Sequence, residues 1–248
     1  MSNPTAAMLV IGDEILSGRT RDANAHHLAG VLAEAGIRLV EIRVVEDRRA
    51  AIVDAVRALS AQVDHLFTSG GIGPTHDDIT ADCVAEAFGV PIGVREDARA
   101  ILAAHYGTDE INESRLRMAR IPEGAALILN PVSQAPGFRL ENVHVMAGVP
   151  AIFREMLANV IAGLEGGPRM LAHSFRVGLP EGDLAGPLRA VAEAHPAVSM
   201  GSYPFYLGGL GSTLVLRSTD PAALAAAADA LRARLADLDA EIAETPPG

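Results

Sequence analysis

The 248-residue chain contains no lysine, because all 20 of its Lys and Arg positions are arginine. This absence excludes the sites that need a lysine amine: the phosphate-binding lysine of a Walker A loop, a Schiff base with a carbonyl substrate, and a pyridoxal phosphate site. Anionic ligands must therefore be bound by arginine, by backbone amides or through a metal ion.

Cysteine is almost as scarce. The single cysteine, Cys83, excludes an intrachain disulfide framework and any cysteine-rich zinc site, so a cytoplasmic setting is expected. Cys83 falls beside the apolar stripe of a predicted helix, and free cysteines are usually buried. We therefore expect a packed thiol rather than a nucleophile.

Excess positive charge and long apolar runs are also absent. The formal net charge of −11 and the sequence pI near 5.1 argue against nonspecific binding to nucleic acid or to acidic membrane surfaces. No apolar run approaches the ~20 residues of a membrane span, and no basic segment precedes the first apolar stretch as in a signal peptide. The sequence predicts a cytoplasmic globular protein, and 49% hydrophobic residues provide ample material for a core.

A repeated alternation of strands and helices dominates the first 90 residues. Residues 6–11, 37–45 and 65–67 predict strands, and each is followed by apolar residues at helical spacing. Three such repeats predict an α/β domain with right-handed β-α-β units around a mostly parallel sheet. A Gly-Gly-Pro segment at residues 166–168 predicts a boundary between a first domain, residues 1–165, and a second domain, residues 170–240.

The second domain has a different order of elements. Its predicted sequence β-α-β-β-α is typical of a small ferredoxin-like α+β sandwich. An aromatic segment at residues 201–209 predicts a hairpin-like loop that either stacks on a heterocycle or anchors a hairpin or a subunit interface. In the first domain, the charged residues 91–120 predict a helical lid or subdomain.

A glycine-rich segment, residues 68–80, follows the third predicted strand and leads into a helix. Glycines leave backbone amides uncovered, and a helix N-terminus adds unpaired donors, so the segment suits an anion. Asp77 and Asp78 at the same place favour a phosphate ester bridged by a divalent cation, because carboxylates and phosphate would otherwise repel each other. The alternative is a tight turn in which Thr75 and Asp78 form a reciprocal helix cap.

Three acidic residues, Asp13, Asp47 and Asp78, each follow a predicted strand. Because ligands bind beyond the carboxyl ends of the strands in such sheets, we expect the three to converge on a catalytic or metal site. Helix capping alone would also explain Asp47. Residues 15–22, which include Ser17 and two arginines, predict either a second wall of a phosphate pocket or a solvated loop.

Short motifs recur in order between residues 6 and 163. They are Gly12-Asp13-Glu14-Ile15-Leu16-Ser17-Gly18, Asp22 with Asn24, Thr68-Ser69-Gly70-Gly71-Ile72-Gly73-Pro74-Thr75 with Asp77, Asp78 and Thr80, Pro122-Glu123-Gly124-Ala125, Asn130-Pro131 and Ala135-Pro136-Gly137-Phe138. This set closely resembles the N-terminal domain of the competence/damage-inducible protein A (CinA) family, within the molybdopterin-binding (MogA/MoaB-like) superfamily. The resemblance implies a three-layer α/β/α domain that usually forms homo-oligomers, here a dimer or trimer.

The resemblance also implies a set of site residues. The implied cofactor-binding residues are Gly12, Ser17, Gly70, Gly71, Gly73 and Thr75. The implied catalytic carboxylates are Asp13, Asp47 and Asp78, and the implied metal ligands are Asp77 and Asp78.

Two chemistries occur in families that the chain resembles, and both act on a small phosphate ester. The CinA-like and FAD-synthase-associated domains are linked to hydrolysis of a nucleotide diphosphate, such as ADP-ribose or FAD, with a divalent metal (Mg, possibly Co or Mn). The molybdenum-cofactor enzymes bind the phosphate of molybdopterin and support its adenylylation. We expect hydrolysis first, with adenylylation and a noncatalytic cofactor-binding module as alternatives.

The chain departs from the CinA pattern in two places. It has Met146-Ala147-Gly148 where CinA-like proteins carry a Leu-Pro-Gly turn, so a different backbone is expected there. The amidohydrolase domain of full-length CinA proteins has no counterpart in these 248 residues, so deamidation of pyridine nucleotides is not expected. The tail, with Gly201-Ser202-Tyr203-Pro204, resembles instead the extension of the FAD-synthase-associated branch.

Overall fold

The computed structural model describes residues 3–206, 209–238 and 240–247. The chain divides into two compact units, Met1–Gly167 and Pro168–Gly248. None of the helices in the part of the chain that the structure describes has the length and apolar character needed to cross a bilayer.

The first unit contains eight of the described strands and seven of the described helices. The strands are β1 (Thr5–Ile11), β2 (Arg38–Val45), β3 (His65–Ser69), β4 (Ile92–Val94), β5 (Arg120–Pro122), β6 (Ala126–Ile128), β7 (Gly137–Leu140) and β8 (Val143–Met146). The helices are α1 (Asp13–Leu16), α2 (Asn24–Glu34), α3 (Arg49–Ser60), α4 (Thr80–Phe88), α5 (Glu96–Tyr106), α6 (Glu113–Arg117) and α7 (Pro150–Ile161).

Six of these strands form one sheet, in the order β2-β1-β3-β8-β7-β6. The pairs among β2, β1, β3 and β8 are parallel, whereas β7 runs antiparallel to both β8 and β6. The predicted α/β fold with a mostly parallel sheet is therefore confirmed. The parallel strands are joined through helices, and the turn from β7 to β8 is short enough for an antiparallel hairpin.

Helices cover both faces of this sheet, which makes the unit a three-layer structure. Alternate residues of β1 enter opposite cores: Leu9 packs with α3 and α4 on one face, and Met8 packs with α2 and α7 on the other. Because both faces are buried, β1 is apolar at every position from residue 6 to residue 11.

The stretch at residues 91–120 is less helical than its sequence predicts. It does contain α5 and α6, but β4 and β5 lie at its ends and pair antiparallel with each other. Each of these strands has only three residues, too few for an alternating pattern to be recognised in the sequence.

The second unit is a smaller antiparallel structure. Its elements are β9 (Leu171–Val177), α8 (Glu181–Ala194), β10 (Ser199–Phe205), β11 (Gly211–Ser218), α9 (Pro221–Leu235) and β12 (Ile242–Thr245). The sheet order is β10-β11-β9-β12, and all three pairings are antiparallel, as in a ferredoxin-like sandwich.

The sequence prediction for this unit needs two corrections. It lacked β12, an edge strand whose four residues are all exposed and so carry no buried-face pattern. The aromatic segment at residues 201–209 is not a loop throughout, since residues 201–205 belong to β10; residues 207 and 208 lie outside the described part of the chain.

The N-cap of α9 provides a test of the second unit. The Asp220 carboxylate accepts hydrogen bonds from the N–H groups of Ala222 (2.8 Å) and Ala223 (3.2 Å). Asp220→Ala should therefore destabilise α9 by about 1 kcal/mol. This loss corresponds to amide exchange in α9 that is about fivefold faster. Hydrogen exchange across residues 224–235 measures this. The control Asp183→Ala removes a first-turn acid of α8, whose N-cap makes no side-chain bond. It should accelerate amide exchange in α8 less than Asp220→Ala accelerates exchange in α9. Equal effects of the two substitutions would contradict the capping role.

Candidate functional site

A cleft of about 600 Å³ opens at the carboxyl ends of the parallel strands. Its walls include the residues that directly follow three strands: Gly12 after β1, Gly70–Gly73 after β3, and Ala147 with Gly148 after β8. This is the edge at which open α/β sheets bind ligands, and the volume lies within the usual range for small-molecule sites.

The first two glycines of the loop after β3 are required by close contacts. Gly70 has φ +108°, and a Cβ placed on it would overlap the carbonyl oxygen of Ile11. Gly71 has φ +68°, and a Cβ there would overlap Oγ1 of Thr80. That same Thr80 hydroxyl donates to the carbonyl of Gly70 at 3.0 Å. The loop is thus held between the end of β1 and the first residue of α4.

A buried asparagine ties the loop to its neighbours. The Asn24 side-chain amide, at the start of α2, donates to Ser69 Oγ and to the Gly148 carbonyl, each at 2.7 Å. Gly148 in turn packs against Gly70, because a Cβ on Gly148 would lie 3.2 Å from the Gly70 Cα. The resemblance includes Asn24, and the structure shows its role: it joins the segments after β3 and β8.

Three successive backbone amides of the loop are available to a ligand. The N–H groups of Gly71, Ile72 and Gly73 have no hydrogen-bond partner among the described residues, and all three residues line the cleft. Consecutive free amides of this kind form an anion-binding concavity. By contrast, the Gly70 N–H donates to Met146 and the Gly12 N–H to Val45, both at 3.2 Å, so these two glycines shape the wall.

The cleft is acidic. Four carboxylate side chains line it, and no Arg or His is among its lining residues in the described part of the chain. The four are Glu14, Asp47, Asp77 and Asp78. A phosphate that approached the free amides from the cleft would therefore meet these four carboxylates, whereas Arg117 and Arg120 line a separate small cavity that shares Gly71, Ile72, Gly73 and Asp78 with it.

Asp13 and Asp47 are held together by reciprocal bonds. The Asp13 N–H donates to Asp47 Oδ2 at 2.9 Å, and the Asp47 N–H donates to Asp13 Oδ1 at 3.3 Å. The structure thus joins the segments after β1 and β2, as the strand-end pattern predicts. Only Asp47 lines the main cleft, whereas Asp13 and Ser17 line a shallower groove beside Val44 and Val45.

The environment of Asp47 disfavours its charge. Partial burial raises the pKa of the Asp47 carboxyl, and the nearby carboxylates of Asp13, Glu14 and Asp77 raise it further. The hydrogen bond from the Asp13 N–H acts in the opposite direction but does not outweigh these effects. A carboxylate with a raised pKa is suited to accept a proton near neutral pH.

Asp78 is already engaged within the loop. Its Oδ2 accepts from the N–H of Thr75 at 2.8 Å and from the Thr75 hydroxyl at 2.5 Å. Because α4 begins at Thr80, this pair closes a turn ahead of the helix and does not cap the helix itself. Thr75 is not among the residues that line the cleft.

Arg117 supports the same turn. Its guanidinium Nη2, at the end of α6, donates to the Asp78 carbonyl at 3.1 Å. The sequence offers no strong signal for this contact, since 39 residues separate the two partners.

Two segments that the sequence did not assign to the site also line the cleft. One is the start of α7, with Val149, Pro150 and Ile152, whose helix dipole is positive at this end. The other is the loop after β6, where Asn130 holds the Ser133 hydroxyl and the Ala135 carbonyl at 2.7 and 2.9 Å. The proline at the first position of α7, which follows β8 after a three-residue turn, was the available signal for the first of these.

The donor set can be tested for a divalent metal ion. Among the described residues, no three His, Cys, Asp or Glu side chains lie close enough together to hold an ion. The carboxylates of the cleft are oxygen donors, however, and Mg²⁺ is usually bound by one or two carboxylates together with water and substrate phosphates. The residues therefore fit an ion that arrives with a phosphate and do not form a complete protein cage.

Cys83 takes no part in this site. Its side chain is completely buried, and burial raises the pKa of the thiol to about 11. The prediction of a packed thiol is confirmed.

Comparison with known proteins identifies the family. Residues 7–166 match the model described as "Probable molybdopterin binding domain". The chain belongs to the molybdopterin-binding domain family. Residues 169–241 match a second model, "FAD synthase, middle domain".

Relatives that include a CinA-like protein are similar to this chain over most of its length. A CinA-like protein of Myxococcus xanthus is 32% identical over 211 residues, which are 78% of this chain and 50% of that protein. A protein of Archaeoglobus fulgidus is 32% identical over 197 residues, covering 79% and 84% of the two chains. This chain spans about half the length of the Myxococcus relative.

A solved structure supports both the branch and the fold. The protein CinA from Thermoplasma acidophilum, described as of unknown function, is 33% identical and superposes with a TM-score of 0.61. The match covers 64% of this chain and 96% of the solved chain. The family resemblance predicted from the ordered motifs is therefore confirmed.

Two glycines with nearly the same backbone conformation test the loop geometry. Gly71 (φ +68°) and Gly89 (φ +69°) are both left-handed, but a Cβ on Gly89 would meet open space, whereas one on Gly71 would overlap Thr80. Gly89→Ala should destabilise the fold by about 1–2 kcal/mol, the left-handed penalty alone. Gly71→Ala should carry the same left-handed penalty and lose about a further 1–3 kcal/mol of stability, because its Cβ would overlap Thr80. Urea denaturation measures both, and equal losses would show that the loop accepts a side chain.

Proposed function

We propose that the cleft binds a phosphorylated nucleotide or pterin and, with a divalent metal ion, hydrolyses a nucleotide diphosphate of the FAD or ADP-ribose type. The observation that supports this best is the combination of three free loop amides with four carboxylates and no basic side chain among the described lining residues. Amides alone favour an anion, and carboxylates alone favour a cation. Together they favour a phosphate that carries a metal ion.

The division of labour within the cleft follows from these positions. The N–H groups of Gly71, Ile72 and Gly73 would bind phosphate oxygens, and the start of α7 would add the positive end of its dipole. Asp77 and Asp78 would hold the metal ion beside the phosphates, which leaves the Asp47 carboxylate free to act as a base. When bound, the ion would neutralise phosphate charge and polarise the phosphorus centre.

The reaction is a hydrolysis of one phosphoanhydride bond. The oxygen of a water molecule attacks one phosphorus, the bridging P–O bond breaks, and two phosphate monoesters leave. Asp47 would accept the proton that the water loses, because the raised pKa of its carboxyl suits a general base.

The comparisons support a nucleotide substrate. Residues 169–241 match the model "FAD synthase, middle domain", and this likeness supports a nucleotide such as FAD as the substrate. The cleft also has an apolar side, formed by Ile72, Met118 and Val149 among others, on which a heterocyclic ring could pack.

One observation favours a second candidate, a noncatalytic binding module. The carboxylate of Asp78 is occupied by Thr75, and no complete metal-ligand set is formed among the described residues. A protein that only binds its ligand needs the amides but no base and no second metal ligand.

Product analysis with a substrate panel distinguishes the candidates. The protein is incubated with FAD, ADP-ribose, NAD or ATP, with or without molybdopterin, in the presence of Mg, Mn or Co. Hydrolysis predicts FMN and AMP from FAD, or AMP and ribose phosphate from ADP-ribose, and no products after chelation. ATP consumption only with molybdopterin would contradict hydrolysis in favour of adenylylation. Metal-dependent binding without products would favour the binding module.

Substitution of Asp47 tests its role as the base. Asp47→Asn should lower turnover by about 100-fold or more, whereas Asp54→Asn, an exposed position on α3 away from the cleft, should leave it unchanged. The fold should survive. The stability that protonation of Asp47 gives the folded state is present at low pH and lost as the pH rises through the raised pKa, so at neutral pH the charged carboxylate is destabilising.

The melting temperature of Asp47→Asn at neutral pH should consequently be no lower than that of the wild type. Wild-type turnover should also fall on the acid side as Asp47 takes up its proton. Full activity in Asp47→Asn, with an unchanged acid limb of the pH profile, would remove Asp47 from the mechanism.

A further inference from the structure

One face of the sheet in the second unit carries no helix among the described elements. Helices α8 and α9 both pack on the other face, where Leu184 and Leu224 share a core with Phe175 of β9 and Leu214 of β11. Because side chains alternate along a strand, the face away from the helices carries the even-numbered residues of β9 and the odd-numbered residues of β10, β11 and β12. We call it the open face, and apart from Gly211 every strand residue on it is at least partly exposed.

The open face carries positive charge and no negative charge. Its basic residues are Arg176 on β9 and Arg217 on β11, and no Asp or Glu is among its described strand residues. The one acidic residue of these four strands, Glu244, lies on the other face, where its Oε1 is 2.6 Å from His173 Nε2. In a chain with a formal net charge of −11, a patch of this kind attracts anions.

Tyr203 presents an aromatic ring on the open face. The ring leans over Gly201, since a Cβ on that glycine would lie 3.3–3.4 Å from three atoms at the hydroxyl end of the ring. Tyr203 is 48% exposed, so a ligand can reach it. By contrast, the Phe205 ring is covered by the guanidinium of Arg176, whose Cζ lies 3.4 Å from the ring centre. Tyr203 is therefore the aromatic surface on this face that a planar molecule can stack on.

Arg217 lies beside the Tyr203 ring and not over it. Its Nη1 donates to the Tyr203 hydroxyl at 3.3 Å, and its Cζ is 5.9 Å from the ring centre, beyond the hydroxyl edge. Because the open face carries no carboxylate, the remaining N–H groups of this guanidinium have no acidic partner on it. Such a planar set of donors suits the oxygens of a phosphate. A heterocycle stacked on Tyr203 would carry its phosphate within reach of Arg217.

We propose that the open face binds a nucleotide, with the heterocyclic ring stacked on Tyr203 and the phosphate bound by Arg217. An aromatic ring alone favours any planar molecule, and an arginine alone favours any anion. Side by side they favour a molecule that contains both groups. A single nucleotide fits better than a nucleic acid strand, because two arginines do not make the basic groove that follows a polynucleotide backbone. Neither the cleft nor the proposed hydrolysis is needed for this inference.

Fluorescence titration with two flavins tests the two contacts separately. FMN and riboflavin have the same ring, but only FMN carries a phosphate. The titrations are made in EDTA, so that metal-dependent binding at the cleft does not contribute. FMN should bind at least about fivefold more tightly than riboflavin. No binding of FMN, or equal affinity for the two flavins, would overturn the proposal.

Substitutions assign each contact to its residue. Tyr203→Ala should weaken the binding of both flavins by about tenfold, whereas Tyr203→Phe keeps the ring and should bind riboflavin like the wild type. Arg217→Gln should weaken FMN by about fivefold and leave riboflavin unchanged. The matched control Arg189→Gln removes an exposed arginine of α8, on the other side of the sheet, and should change neither affinity. Circular dichroism confirms that each variant is folded.

The pattern across the variants decides the outcome. Riboflavin binding that survives Tyr203→Ala would overturn the stacking assignment. Equal weakening of FMN by Arg217→Gln and Arg189→Gln would overturn the phosphate assignment, because it would show a general effect of charge.

Backbone amide chemical shifts locate the bound FMN in EDTA. The largest changes should fall at residues 201–205 and 213–217, and largest changes at Gly71–Gly73 would overturn the proposal. Much tighter binding of a single-stranded RNA decamer than of FMN would overturn it in favour of a nucleic acid site. Self-association that Tyr203→Ala abolishes, without FMN binding to the wild type, would overturn it in favour of a subunit contact. Sedimentation velocity measures that association.

Discussion

The backbone of Gly70 lies against the carbonyl oxygen of Ile11 with no room for a side chain, and the rest of the site depends on this contact. It brings the segment after β3 onto the end of β1, where the Gly70 N–H reaches Met146 on β8. Asn24 and Thr80 then bond to Ser69, Gly70 and Gly148 and fix the loop from both sides. With its ends held in this way, the loop leaves the amides of residues 71–73 without partners at the mouth of the cleft.

The charge around the loop determines which anion it can accept. The chain has no lysine, and none of its arginines is among the described residues that line the cleft. Four carboxylates stand there instead: burial and then the neighbouring carboxylates raise the pKa of Asp47, whereas the hydrogen bond from the Thr75 side chain lowers the pKa of Asp77. A bare phosphate gains from the amides but is repelled by the carboxylates, whereas a metal-bound diphosphate satisfies both. Binding of the metal-bound ligand would thus reduce the repulsion between the carboxylates of the empty cleft.

The sequence predicted the parts of the fold whose residues repeat a strong local pattern. The strands Thr5–Ile11 and Arg38–Val45 lie within one residue of their predicted bounds, because the first is a continuous apolar run and the second alternates apolar and charged residues. The edge strand at residues 242–245 was missed, since tertiary pairing and not a buried face defines it. For the site, strand ends and glycines located the cleft. They could not show that the Gly70 amide is used within the sheet or that Ser17 faces another groove, because both facts depend on contacts between distant segments.

The most direct measurement is the change in backbone amide chemical shifts when ADP is added to the ¹⁵N-labelled protein, with and without Mg²⁺. We expect the largest changes at Gly71, Ile72 and Gly73, and we expect them to require the metal ion. The surface cleft between α2 and α7, which contains Arg21, His26 and Arg154, is the natural alternative site for an anion. Largest changes there, or changes in the loop that are independent of Mg²⁺, would contradict metal-dependent phosphate binding by the loop amides.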